Sequence, residues 1–253
     1  NNRMNLDVST LLYQGLMGMD TSMVPQPVLA SSLTVNGLTV TATIQPDAVF
    51  SNGAKVAARD VKSSFDKAKT SPHYAQLLRN VVSADITGNN VAFTLAEPDP
   101  HAQACFIFPI LPQNQLDDDT PVGSGLYTLA GNKGAYRLVK NPQSKTAVNI
   151  ETIYLTDIAD SDALVHALEN GSISYMFSDL SGGEIPRVTS ASKSISMPDL
   201  LFLGVNSNKT ALSDPLLRQA ISHAINRTGL ANHTFGGYAQ PACTPFHPQF
   251  KPA

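Results

Sequence analysis

Apolar residues recur at helical spacing from Leu6 to Gly18, with Val8, Leu11, Leu12 and Leu16 on one stripe. The pattern predicts an amphipathic helix with Gly15 and Gly18 near its end. Val24 to Ala30 contains Pro25 and Pro27, which predicts an extended connector. Two alternating β-rich runs follow, Ser32–Val35 and Leu38–Ile44, with the hairpin signal Asn36-Gly37 between them. Pro46 ends the second run. Asp60 to Lys69 reads as a helix, with Val61, Phe65 and Ala68 on one face and Lys62, Asp66, Lys67 and Lys69 mostly on the other. Val81–Ile86 and Asn90–Leu95 predict a second hairpin through Thr87-Gly88-Asn89. Pro98, Pro100, Pro109, Pro112 and Pro121 then punctuate a long irregular passage, read as a crossover between domains.

Beyond Pro121 the pattern changes. Tyr127–Ala130 and Ala135–Lys140 read as paired strands, Asn149–Thr156 as a strand, Ser161–Asn170 as a helix and Ile173–Phe177 as a strand. Gly171 stands where a residue just past a helix end adopts the left-handed conformation. A β-α-β unit of this kind implies a parallel pair with a right-handed crossover. Leu200–Asn206 predicts a further strand. Asp214 and Pro215 then form a helix start, and Leu216, Leu217, Ala220, Ile221, Ala224 and Ile225 its predicted buried stripe, with Gly229 past its end. The tail from Gln240 to Ala253 is Pro-rich and reads as extended. The fold class is α/β, with a hairpin-rich region inserted between an N-terminal helix and the β-α-β region.

Composition narrows the classes. The 253 residues correspond to one or two domains at about 150 residues each, enough to bury a core without disulfide or metal staples. Lys plus Arg is 17 and Asp plus Glu 20, a net charge of 17 − 20 = −3. With 42% apolar and 15% charged residues, the chain is too apolar to be disordered. It lacks the basic excess of a nucleic-acid binder. The longest apolar run, Ala104 to Leu111, includes Pro109 and is too short to span a bilayer. Asn1 to Asn5 carries no signal-peptide pattern, and this start inside a structured segment reads as a trimmed or processed chain. Cys105 and Cys243 form no CxxC pair, which excludes a zinc knuckle or thioredoxin-type motif. They are expected to be two buried thiols, and a disulfide between them depends on a Cα separation that sequence does not give.

Catalytic chemistry finds no foothold. His73, His101, His166, His223, His233 and His247 form no HExxH or other close pair. Gly123-Ser124-Gly125 resembles a nucleophile elbow, but the glycines required two residues to either side of the serine are Val122 and Leu126. Gly182-Gly183 lacks the Lys and Ser/Thr of a phosphate loop. Asp117-Asp118-Asp119 lacks Ca²⁺-loop spacing and reads as a solvated acidic loop. No cofactor, metal site or enzyme activity is expected.

Five segments, in order, resemble one family: the peptide/nickel class (family 5) of extracellular solute-binding proteins of ABC transporters. Leu12-Tyr13-Gln14-Gly15-Leu16 with Pro27-Val28-Leu29-Ala30 is similar to its YEGL…PxLA opening. Leu38 to Ile44, Phe50-Ser51-Asn52-Gly53 and Ala57-Ala58-Arg59-Asp60-Val61 are similar to its most specific stretch, F-x-L-R…F-(S/H)-(D/N)-G…A-x-D-V. Pro121-Val122-Gly123-Ser124-Gly125-Leu126-Tyr127 resembles PVGTGPY. Val205-Asn206, Asp214, Leu217-Arg218-Gln219-Ala220-Ile221 and Ala224-Ile225-Asn226-Arg227 resemble FN…D-x-x-V-R-Q-A-I-x-x-A-I-D-R. Gly236-Gly237-Tyr238-Ala239-Gln240-Pro241-Ala242 resembles G-x-A-x-PA. The departures are Ser124 for Thr, Leu126 for Pro and Asn226 for Asp.

The resemblance implies a periplasmic-binding-protein-like fold of class II type, with a lobe I and an inserted smaller α+β lobe II. It places lobe I in residues 1–34 and 117–253 and lobe II in 35–116. Family members are about twice as long, and their third lobe follows the point where this chain stops at Ala253. The chain is therefore expected to be an N-terminal fragment without that lobe, the lipoprotein signal or the first strand. The implied function is capture of peptides or a related small solute by hinge closure and delivery to ABC permease subunits. A sensory ligand-binding module without a permease is the alternative. The implied location is extracytoplasmic, with membrane contact only through a lipid anchor or the permease. By analogy, the ligand-wall residues are Met4, Asn5 and Leu6 before the first helix, Leu203, Gly204, Val205 and Asn206 at a strand end, and Cys243 in the tail.

Overall fold

The computed structural model describes residues 3–183, 185–195, 197 and 199–245, with side chains from residue 7 onward. The chain divides into two units, Asn1–Thr156 and Asp157–Ala253.

The first unit is built on the two predicted hairpins. Strands β3 (Ala30–Asn36) and β4 (Thr39–Ile44) pair antiparallel, as do β5 (Val81–Thr87) and β6 (Asn90–Leu95). Together they form a four-stranded sheet of order β3-β4-β6-β5. The helix α2 (Ala58–Thr70) packs on it, because Val61, Phe65 and Ala68 recur on one face and are buried. Phe65 meets Phe93 edge-on at 5.3 Å, and Phe93 lies 4.5 Å from Phe106, both within the range of favourable aromatic pairs. The proline-punctuated passage is thus part of this core: Phe106, Phe108 and Ile110 are fully buried. It is irregular in backbone, with 3-10 turns at Ala102–Cys105 and Gln113–Gln115.

Several expectations shift. The helix α1 (Arg3–Leu12) ends earlier than the apolar spacing predicts. Gln14 to Met17 instead leaves the helix, bending at Leu16, because two neighbouring segments take its backbone groups. Met17 N–H donates to Phe106 O at 2.9 Å, Ile110 N–H to Gln14 O at 2.9 Å, and Leu29 N–H to Gly15 O at 3.2 Å. Gly18 falls in a short strand, β1 (Met17–Met19), paired with β2 (Pro25–Pro27) inside the predicted connector. The first hairpin turns at Gly37-Leu38, with Asn36 opposite Thr39. Gly37 supplies the positive φ of 58°. That register turns Val40, Ala42 and Ile44 together into the core.

A second sheet, β7 (Tyr127–Ala130), β8 (Arg137–Lys140) and β9 (Thr152–Tyr154), is antiparallel throughout. Leu138 and Tyr127 are buried there with Leu12 of α1.

In the second unit, α3 (Ser161–Glu169) and α4 (Pro215–Ala224) form as expected. Gly171 takes the left-handed conformation (φ 78°) and its N–H reaches Leu168 O. The expected strands at 173–177 and 200–206 do not form, so among the described residues there is no parallel pair. The physical reason is the absence of a neighbour: a strand's backbone groups need a ladder partner. Phe202 is 76% exposed. The predicted buried stripe of α4 is likewise open, with Leu216 72% exposed and no buried residue on the helix. Gly229 sits in a separate short helical turn, Arg227–Gly229. Residues 246–253 of the predicted tail lie outside the described residues.

Candidate functional site

Parts of three of the five matched segments converge in the first unit. Leu12 O accepts from Gly125 N–H at 2.8 Å, and Tyr13 Oη donates to Pro121 O at 3.2 Å. Gly123 O accepts from Ser51 N–H at 2.8 Å. Gly15 O accepts from Leu29 N–H. The end of α1, the Phe50–Gly53 loop, the Leu29 strip and the Pro121–Gly125 loop are therefore tied backbone to backbone. Glycine is required for this approach. A Cβ on Gly123 would lie 2.0 Å from Leu12 O, and one on Gly125 2.3 Å from Leu11 O. Asn141, fully buried, donates from Nδ2 to Gly125 O at 2.7 Å and fixes the loop from the other side.

Polar groups at this junction are mostly satisfied. Asp60 is buried and its two oxygens are divided: Oδ2 accepts from Ala57 N–H, Oδ1 from Gln113 N–H, each at 2.9 Å. The first closes the start of α2; the second anchors the 3-10 turn. Gln115 Oε1 accepts from Val122 N–H at 2.8 Å. Burial raises the Tyr13 phenol above its usual pKa. The Ser124 hydroxyl is buried, and among the described residues its Oγ has no hydrogen-bond partner. In the turn between β1 and β2, Asp20 accepts from Ser22 and Val24 N–H and from Gln26 Nε2. Those bonds, the Val24 one foremost, hold its carboxyl below the ordinary carboxylate range.

The predicted wall residues are distributed as follows. Met4, Asn5 and Leu6 belong to the first turns of α1, not to a segment before it; their side chains lie outside the described residues. Leu203, Gly204, Val205 and Asn206 lie together on one irregular segment, with Leu203 64% exposed and Val205 half-buried. Asn206 Oδ1 accepts from Asn208 N–H at 3.0 Å, which turns the chain. Cys243 is exposed and Cys105 half-buried; both are free thiols, so neither fits the buried expectation. An open cavity of about 440 Å³ lies elsewhere in the first unit, among Val35, Gly37, Pro98, Asp99, Pro100 and Gln103. None of the predicted residues lines it.

Sequence reasoning passed over two arginines inside its own matched segments. Arg218 Nη1 donates to Leu212 O and Ser213 O, at 2.9 and 2.8 Å. Arg227 donates from Nη1 to Ser222 O and from Nη2 to Ser222 Oγ, each at 2.8 Å. Each arginine clamps the backbone at one end of α4, a role that spacing alone does not reveal. Among the described residues, no group of three or more His, Cys, Asp or Glu is placed to hold a metal. No helix among them is long and apolar enough to cross a membrane.

Comparison with known proteins adds the following. The family model described as bacterial extracellular solute-binding proteins, family 5 Middle, matches residues 24–253. The glutathione-binding protein GsiB of Salmonella paratyphi A is 26% identical over 270 residues, covering 96% of this chain and 52% of its own length. GsiB of Escherichia coli O1:K1 is 27% identical with the same coverage. The chain thus spans about half the length of the curated relatives it matches. Among solved structures, a nickel ABC transporter protein from Bacillus halodurans superimposes with a TM-score of 0.70 at 21% identity, over 98% of this chain and 55% of that one. The oligopeptide-binding protein AppA from Bacillus subtilis, in complex with a nonapeptide, gives 0.68 at 21% identity, with the same coverage. These likenesses establish the periplasmic-binding-protein-like α/β fold expected from the sequence.

Proposed function

Because this chain belongs to the bacterial extracellular solute-binding proteins of family 5, we propose that it is part of the substrate-binding component of an ABC importer. In this reading the whole protein captures a peptide or related small solute by hinge closure outside the cytoplasm and passes it to a membrane permease. The family match across residues 24–253 carries the reading. The joining of parts of the first three matched segments at one glycine-dependent junction supports it, since a clamp needs a rigid frame on which to close. The GsiB relatives bind glutathione, itself a small peptide, by their name, and AppA holds a nonapeptide. Peptide is accordingly the first ligand class to test.

Residues 35–116 form the inserted lobe II of this proposal, and 1–34 with 117–253 belong to lobe I. Leu203, Gly204, Val205 and Asn206 contribute wall to the ligand cleft, with Met4, Asn5, Leu6 and Cys243 as further wall positions. The exposure of Leu203 and its neighbours favours this assignment, since an open segment of chain can meet a peptide ligand. A lipid anchor in the full-length protein completes the proposal.

Native mass spectrometry and thermal shift on the full-length protein test it, with glutathione, di- and oligopeptides and a nickel–histidine complex as probes. A bound mass with a matching rise in Tm is the expected result. An unshifted mass and Tm with every probe would overturn the peptide or small-solute reading.

A further inference from the structure

The four-stranded sheet has two edges, β3 and β5. In an antiparallel ladder, every second residue of an edge strand turns its N–H and C=O away from its one neighbour. Such an edge is a template for another strand unless something covers it. The β3 edge is met by side-chain amides: Gln103 Nε2 donates to Leu33 O and Gln45 Nε2 to Ala30 O, each at 3.4 Å. At β5 the corresponding group is an ammonium. Lys69, in the last turn of α2, donates from Nζ to Val81 O at 2.6 Å and to Val82 O at 3.1 Å, and lies 5.6 Å from the centre of the Phe65 ring. The ammonium is thus placed between the face of the Phe65 ring and the two strand carbonyls.

We infer that Lys69 keeps the β5 edge from pairing with the β5 edge of a second copy of this chain. The strand is self-complementary. A two-fold axis at Ala84 sets Val82 of one copy opposite Ile86 of the other, and Ser83 opposite Asp85, so no like charges meet. Val82 and Ile86 are exposed apolar residues. An incoming strand in this register would need the Val82 carbonyl that Lys69 occupies, and would have to strip water from its ammonium or displace it. The β5 bulge between Val81 and Ser83 is the second feature that disfavours a straight pairing.

The test uses the full chain. Lys69→Met keeps an unbranched side chain of similar length and removes the charge and all donors; Lys69→Arg keeps charge and donors. Sedimentation velocity and hydrogen–deuterium exchange over residues 81–87 are read at rising concentration. The expected result is that Lys69→Met associates, with an apparent mass at least double that of wild type, and gains concentration-dependent protection in β5. Lys69→Arg sediments like wild type, and adding Ile86→Lys to Lys69→Met restores wild-type behaviour. Folded Lys69→Met that sediments like wild type, or that associates without β5 protection, would overturn the inference. Lys69→Leu, which also lacks charge and donors, decides by the same two readouts if Lys69→Met does not fold.

Discussion

Ser64 and Leu111 exchange two hydrogen bonds across 47 residues of chain: the buried Ser64 Oγ accepts from Leu111 N–H at 2.9 Å and donates to Leu111 O at 3.3 Å. Asp60, one helical turn earlier, takes Gln113 N–H. The polar edge of α2 therefore supplies the hydrogen bonds that an irregular buried passage cannot make within itself. This allows Phe106, Phe108 and Ile110 to enter the core without regular secondary structure.

Ser64→Ala is expected to lower stability by about 1–3 kcal/mol, since it takes the side-chain partner from both backbone groups of the half-buried Leu111. Urea unfolding checks it. A midpoint equal to wild type would mean that the two bonds contribute nothing net.

Asp60→Ala removes the partners of Ala57 and Gln113 together. The expected loss is also about 1–3 kcal/mol, because both acceptors are on one buried carboxylate. Hydrogen exchange should show faster opening at the start of α2 and at 113–115, while β7–β9 amides stay as protected as before.

Gly123→Ala and Gly125→Ala drive a Cβ into the end of α1. Each is expected to cost about 3 kcal/mol or more, as overpacking against backbone with no flexible neighbour to yield. Gly182, with nothing within 4 Å of its built Cβ, is the control; its Ala variant should stay within about 0.5 kcal/mol of wild type. Thermal unfolding of the three variants side by side makes the comparison.

Asp214→Ala should cost about 1 kcal/mol. Its Oδ1 accepts from Leu216 N–H at 2.8 Å, and Pro215 follows at the first helical position. The loss is local, so fraying of α4 seen by exchange is the direct readout.

The two thiols should separate in reactivity. Burial, and then the charge of Asp99, push the Cys105 thiol above its usual pKa, so less thiolate is present at neutral pH. Cys243 is exposed. Alkylation followed by mass spectrometry is expected to label Cys243 first, with Cys105 labelling accelerating as the pH rises past the ordinary thiol range. Equal rates at neutral pH would contradict the burial of Cys105.

Periodicity alone determined the elements whose signals are local. Two β-hairpins, α2 with its Val61–Phe65–Ala68 face, and the Asp214-Pro215 helix start rest on side-chain alternation, helical spacing and capping chemistry that lie within a few residues. The five ordered segments also made the family legible; the first three carry closely packed glycines and a buried aspartate. Tertiary structure decided the rest. Whether Gln14–Met17 continues α1 or leaves it depends on Phe106, Ile110 and Leu29, which are remote in sequence. The turn position in the first hairpin was set by which register buries Val40, Ala42 and Ile44. Leu200–Asn206 carries a strand's composition, yet a strand exists only where another strand meets its backbone groups, and composition does not say which segment will do so.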